Sequence, residues 1–374
     1  MRENRPRTTE MNTALNGICP YFTMFPLEFP RGVLVRHAQP GETVLDPFAG
    51  RGTTLYAGRL EGLRAYGVDS NPVAVAISAA KLANAKSGRI TAAARHILKT
   101  HQTPKTIPTG DFWQLAFHPN VLDQLCRLRE GLLEDCETDT RKALRAVILG
   151  ALHGPRAKTR HSYFSNQCTR TYAPKPAYAV KFWRRHRMKP VKVDVLEIIQ
   201  TRATRFFGEE RTKAEGGIFS GDSTVPESIS QIGREVDWIV TSPPYYGMRT
   251  YLPDQWLRLW FVGGTSDVCY SNANQLPHGS REEFSTALGK VWRNCAAVAS
   301  PNARLVIRFG AINDRKLDPR ELVKTSLAGT GWRLLTGRNA GTASGGRRQS
   351  DHFSLTDSAP PIAEYDLWAE KSAV

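Results

Sequence analysis

Between two apolar stretches the chain reads Asp46-Pro-Phe-Ala-Gly50-Arg-Gly52-Thr53-Thr54, a glycine turn that few folds accommodate. Before it lies a short β-type run, residues 43–48 (TVLDPF). After it, residues 53–62 carry apolar side chains at helical spacing. The pattern then repeats. Residues 65–69 (AYGVD) form a second strand, and residues 71–85 a second helix with Pro72 at a favoured first position. Strand, loop, helix, strand and helix in this order open a doubly wound sheet. The fold class expected is therefore α/β and Rossmann-like, with helices on both faces.

The turn also has a chemical reading. Glycine lets backbone approach a ligand closely, and a helix N-terminus favours a negative group such as a carboxylate. Asp69 ends the second strand, where a carboxylate can accept from two ribose hydroxyls. The spacing departs from the dinucleotide fingerprint and lacks the Lys-Ser/Thr of a phosphate loop. A nucleoside with a small zwitterionic tail fits it better than a pyrophosphate. The purely structural alternative is a tight turn with a helix cap.

A second turn follows residues 236–240 (VDWIV), a buried-looking strand, and reads Thr241-Ser242-Pro243-Pro244-Tyr245-Tyr246. Two prolines fix φ and remove two N–H donors. A hydroxyl, carbonyls outside a ladder and an aromatic ring suit a flat group bearing an amino function. Taken alone, a proline-rich strand end with a core tyrosine explains the run equally well.

Residues 1–17 are polar and basic and read as a flexible lead-in, and residues 19–30 as an irregular packed segment. Amphipathic helices are expected at 121–133 and 141–152. Residues 151–193 hold eleven Lys or Arg, interleaved with aromatics, and no Asp or Glu. Their prolines point to an extended course. Residues 303–309 and 331–335 read as strands and 337–350 as a Gly-rich basic loop. Lys and Arg number 51 against 35 Asp and Glu, a net charge of +16 that points to a polyanionic partner or to a solvated basic surface. The six cysteines lack zinc-type spacing, so no metal is expected, and reduced thiols in a cytoplasmic protein are. No apolar run is long enough to span a membrane.

The three runs DPFAGRGTT, GVDSNP and TSPPYYG together resemble the amino-group DNA methyltransferases, over about residues 18–85 and 218–335. The resemblance implies a class I methyltransferase sheet and S-adenosylmethionine as cofactor. PYFTMFP at 20–26 looks like the family's N-terminal cofactor motif, and Gly221-Asp222 like the motif whose acidic residue meets the adenine ring. The cofactor residues implied are Tyr21, Phe22, Asp46, Phe48, Gly50, Gly52, Thr53, Asp69, Ser70, Asn71 and Asp222. The catalytic turn implied is Ser242, Pro243, Pro244 and Tyr245, with Tyr245 as stacking platform for a flipped base. A serine at the first position is typical of enzymes acting on N4 of cytosine, and aspartate is commoner for N6 of adenine. An RNA base as substrate and a non-catalytic DNA-binding protein are the further alternatives.

On this resemblance, residues 18–85 and 216–374 form the catalytic domain, and residues 86–215 form a large helical and basic insertion that is a candidate DNA-recognition region. Arg170, Lys181, Arg184, Arg185 and Arg187 are its candidate contacts to double-stranded DNA, with Arg347 and Arg348 in the Gly-rich loop. A cognate restriction or phage-defence system is the implied partner.

Overall fold

The structure is a computed structural model. It describes residues 13–21, 25–155, 162–168, 174–208, 212–247, 253–269, 276–310, 318–342 and 363–372. Phe22, Arg170, Arg347 and Arg348 lie outside these residues.

The first half runs α1 (Glu28–His37), β1 (Thr43–Asp46), α2 (Thr53–Leu60), β2 (Arg64–Asp69) and α3 (Pro72–Leu82). Helices α4 (Ser87–Thr100), α5 (Asp111–Ala116), α6 (Pro119–Glu134), α7 (Asp139–Ala151), α8 (Pro176–Arg185) and α9 (Val195–Phe207) follow. The second half runs β3 (Glu215–Ser220), α10 (Pro226–Ser230), β4 (Val236–Thr241), α11 (Trp256–Phe261), α12 (Arg281–Val298), β5 (Ala299–Gly310), α13 (Pro319–Leu327), β6 (Trp332–Thr342) and β7 (Ala363–Lys371).

The strands form one sheet in the order β3-β2-β1-β4-β5-β7-β6. The pairs from β3 to β5 are parallel, and β7 runs antiparallel to both neighbours. Alternation along the strands divides the core in two. Val44, Val240 and Val306 pack with α1–α3, whereas Leu45, Ile239, Leu305 and Ile307 pack with α10, α12 and α13. Successive side chains of a strand point to opposite faces, so both faces of this sheet carry helices, as the Rossmann-like expectation requires. The order reverses between β1 and β4. In such sheets the crevice at the carboxyl ends of the strands, at this reversal, is where ligands bind.

The buried side chains of α4, α6, α7 and α9 belong to the same core as α1–α3. The helical middle is therefore packed onto the sheet's own helical layer.

Three local expectations are corrected. Residues 337–342 form the end of β6, not a loop, because Gly337, Arg338 and Asn339 pair with Leu367, Asp366 and Tyr365 of β7. Residues 176–185 are helical, not extended. Pro176 occupies the first turn of α8, where its missing N–H costs nothing, and Ala179 and Trp183 bury one face. Finally, α1 begins at Glu28, inside the segment expected to be irregular, with Pro30 in its first turn.

Candidate active site

The glycine turn is held from three sides. Ala49 N donates to the Val68 carbonyl at 3.0 Å, and Gly52 N to the Ala49 carbonyl at 2.7 Å. Ser78 of α3 donates to the Gly50 carbonyl at 2.9 Å. Gly52 has φ +72°, and a Cβ there would lie 2.6 Å from Ser78 Oγ, so no other residue fits without moving α3. Gly50 has φ +51°, and a Cβ there would meet only the Phe48 carbonyl, at 3.9 Å, so the turn has room on that side.

Asp69 sits at the end of β2. Its Oδ2 accepts from Gly50 N at 2.7 Å and its Oδ1 from Asn71 N at 2.8 Å. Burial outweighs these two bonds and pushes its carboxyl up to about 6. Asn71 caps α3 through Val73 N at 2.9 Å, and its Nδ2 donates to the Tyr21 hydroxyl at 3.0 Å. The segment before α1 thus closes over the end of β2. Ser70 follows Asp69 directly. Asp222 lies just beyond β3, whose Ser220 pairs with Asp69; Gly221 N donates to the Asp69 carbonyl at 3.1 Å. The Asp222 carboxylate turns back on Thr224, accepting from its N at 2.9 Å and its hydroxyl at 2.8 Å.

Asp46, at the end of β1, is fully buried. Its Oδ1 accepts from Phe48 N at 3.0 Å and from the Thr241 hydroxyl at 2.6 Å, while Oδ2 has no hydrogen-bond partner among the described residues. Burial raises this carboxyl too, to about 6. An orphaned oxygen on a buried carboxylate is a place for a positive group. Phe48 packs edge-on to Trp292 at 6.2 Å between centroids, and Thr53 is buried at the start of α2.

The second turn leaves β4 beside this cluster. Thr241 is its last strand residue, so its bond to Asp46 sets Ser242 next to the glycine turn. Ser242 is half-buried, and its hydroxyl makes no hydrogen bond among the described residues. Pro243 is buried and Pro244 half-buried. Tyr245 is 9% exposed; its ring meets Phe309 edge-on at 5.2 Å and its hydroxyl donates to Glu364 Oε1 at 2.6 Å. The ring is thus fixed against β5 and β7. Tyr246 packs on Phe284 at 5.4 Å.

The described sheet-end residues expected from the sequence therefore come together: Tyr21, the glycine turn, Asp69 to Asn71, Asp222 and Ser242 to Tyr245. Thr241, Ser78 and Glu364 were not singled out in advance. Thr241 stood inside the quoted run, but nothing local marks Glu364 as the partner of Tyr245. The described basic candidates lie on α8 and, for Arg187, just beyond its end. Lys181, Arg184, Arg185 and Arg187 are exposed there, and Arg184 pairs with Asp111 at 2.7 Å. Trp183, on the inner side of α8, donates to the Gln167 carbonyl at 3.2 Å and packs against Phe112, which meets Trp256 of α11.

All six cysteines are free thiols. Among the described residues no helix is long and apolar enough to cross a membrane, and no group of His, Cys, Asp and Glu could hold a metal ion.

Residues 3–80 match a family model described as DNA methylase, of the N6/N4 type. No curated protein matches the sequence. Similar solved structures include the rRNA methyltransferase aviRa from Streptomyces viridochromogenes, at 14% identity and a TM-score of 0.38, covering 96% of this chain and 90% of that one. TrmN from Thermus thermophilus is 11% identical with a TM-score of 0.36; the alignment covers 93% of this chain but only 49% of that one. Magnesium protoporphyrin IX methyltransferase from Synechocystis PCC 6803, solved with bound SAM, is 10% identical with a TM-score of 0.34, covering 92% of this chain and 78% of that one. At such scores these likenesses assign neither substrate nor site.

Proposed function

We propose that the chain, whose residues 3–80 match the family model of amino-group DNA methylases, is an enzyme that transfers a methyl group from S-adenosylmethionine to N4 of cytosine in double-stranded DNA. The observation that carries this reading is the 2.6 Å bond from Thr241 to Asp46, which joins the Ser242 turn to the nucleoside-binding turn.

S-adenosylmethionine fits the residues present. Asp69 offers a carboxylate to the ribose hydroxyls, Gly50 puts no side chain in a ligand's way, and the orphaned Oδ2 of Asp46 complements a ligand with two positive groups. Tyr21, Asn71 and Asp222 border the same end of β2 and β3. When bound, the cofactor supplies an electrophilic methyl on its sulfonium sulfur.

The rest of the chemistry falls to the Ser242 turn. An exocyclic amine is a poor nucleophile because its lone pair is delocalised into the base. The Ser242 hydroxyl, which makes no hydrogen bond among the described residues, accepts one from the amino group. The Pro243 carbonyl accepts a second. Both draw the lone pair out of conjugation, so the turn works by positioning and electrostatics. No covalent bond to the protein forms, and the amino proton leaves to solvent. The base reaches the turn only after leaving the duplex, and the fixed Tyr245 ring walls the place where it arrives.

The choice of N4 rests on serine at position 242, and that of DNA on the family match and the exposed cations of α8. Mass spectrometry of nucleosides from the DNA of an expressing, methylation-free host tests both. N4-methylcytosine is expected. N6-methyladenine corrects the base and keeps the chemistry; unmodified DNA overturns the proposal.

A further inference from the structure

Around residues 18–21, on the flank of the glycine turn, four cationic side chains are gathered. Lys81 of α3 is fully buried and donates to Asn16 Oδ1 at 2.7 Å. Arg202 of α9 donates to the Gly150 and Ile18 carbonyls at 2.8 and 3.4 Å. Arg258 of α11, 4% exposed, donates from Nε to the Leu149 carbonyl at 3.3 Å and from Nη1 to Gln255 Oε1 at 2.9 Å. Arg51, between the two glycines of the turn, reaches Thr53 Oγ1 at 3.4 Å.

Every one of these partners is neutral, and among the described residues no ion pair reaches any of the four. Burial lowers Arg51 to about 10 and Lys81 well below its ordinary value, and all four charges bear on Cys19. Buried cations without a counter-charge are costly, and a site that keeps them is poised for an anion. Two buried nitrogens in the cluster lack a partner, Arg202 Nε and Arg258 Nη2. Nε lies within its side chain, behind an Nη2 already committed to carbonyls. The Nη2 of Arg258 is at the tip of its side chain, buried and without a hydrogen-bond partner among the described residues. The charge of Arg258 also bears on Tyr21, whose hydroxyl holds Asn71 beside Asp69.

We propose that Arg258, assisted by Arg51 from the glycine turn, anchors the carboxylate of the cofactor's amino-acid end. This rests on the cofactor assignment above. The zwitterionic tail then meets opposite charges on two sides, Asp46 for its cation and the arginines for its anion. The signal in the sequence was an arginine inside an otherwise apolar run, Trp256-Leu-Arg258-Leu-Trp-Phe261.

Calorimetric titration with S-adenosylmethionine and with its decarboxylated analogue tests this. The unmutated protein is expected to prefer the intact cofactor by about 10- to 100-fold, the range for a hydrogen bond to a charged group. Arg258→Gln is expected to remove that preference while leaving the affinity for the decarboxylated analogue unchanged. Arg258→Lys, which keeps the charge, is expected to retain part of the preference, and it carries the test if the glutamine variant fails to fold. A variant that weakens both ligands equally, or one that keeps the full preference, overturns the proposal. Equal affinities in the unmutated protein overturn it while leaving the cofactor assignment standing. Binding of neither ligand overturns both.

Discussion

The hydroxyl of Thr241 donates to Asp46 Oδ1 across 2.6 Å, joining the carboxyl ends of β4 and β1 at the point where the strand order reverses. Thr241→Val removes the donor and keeps the shape. Asp46 loses a bond that holds its carboxyl down against burial, so its pKa rises beyond about 6. The variant should lose about 1.5–3 kcal/mol of stability, as for a hydrogen bond to a charged group, and transfer methyl groups more slowly. Urea melts and single-turnover assays measure the two effects. Unchanged values in both would mean that the bond couples nothing.

Ser242→Ala should keep the fold and cofactor affinity, because Ser242 Oγ bonds no other described residue. Transfer should fall by about 10²-fold, the scale of one lost transition-state hydrogen bond. Single-turnover transfer of labelled methyl groups with DNA in excess, beside a DNA-binding titration, separates chemistry from binding. Transfer at the unmutated rate would return the turn to a structural role.

The carboxyls of Asp46 and Asp69 are both raised to about 6 by burial. The sign for stability follows. A folded pKa above the unfolded value of about 3.9 makes folding take up protons, so the free protein should gain stability as pH falls from 7 toward 4. Cofactor affinity should move the other way, weakening as pH drops through about 6, if the ribose is held by an ionised acceptor at Asp69 as proposed. Calorimetry from pH 5 to 8 reads this, with Asp69→Asn as control. A flat affinity in the unmutated protein would remove Asp69 from the ribose.

Tyr245 and Glu364 are both buried and joined at 2.6 Å. In a double-mutant cycle of Tyr245→Phe and Glu364→Gln, their effects on stability should be non-additive by about 0.5–3 kcal/mol. The same cycle read on turnover shows whether β7 orients the catalytic turn. Strict additivity in both would mean that Glu364 merely shares the cavity.

Neutralising Arg184, Arg185 and Arg187 together should flatten the salt dependence of DNA binding. Three phosphate contacts lower the slope of log K against log salt by about 2.7. Arg184 is paired with Asp111 in the free protein, so the fall should lie between about 1.8 and 2.7. An unchanged slope would put the DNA elsewhere.

Local chemistry made the conformation of the two turns legible in advance. A glycine that needs φ +72°, an aspartate ending a strand and prolines that set a turn are properties of short runs, and such runs dictate backbone conformation by themselves. The same is true of the β1–α2–β2–α3 opening, whose periodicities are local. The rest depended on residues far apart in sequence. The end of β6 is a strand because β7 pairs with it, and no local propensity of Gly337–Asn339 marks that. Helix α8 forms because Ala179 and Trp183 find a core to enter, which overrides the extended bias of its prolines. Glu364 meets Tyr245 across 119 residues, and Arg258 reaches Leu149 across 109. Sequence thus determined where the glycine turn, the strand-ending aspartate and the proline turn with its hydroxyl would lie. Only tertiary packing decided which buried charges face them, because burial and long-range pairing are properties of the assembled layers and not of any run within them.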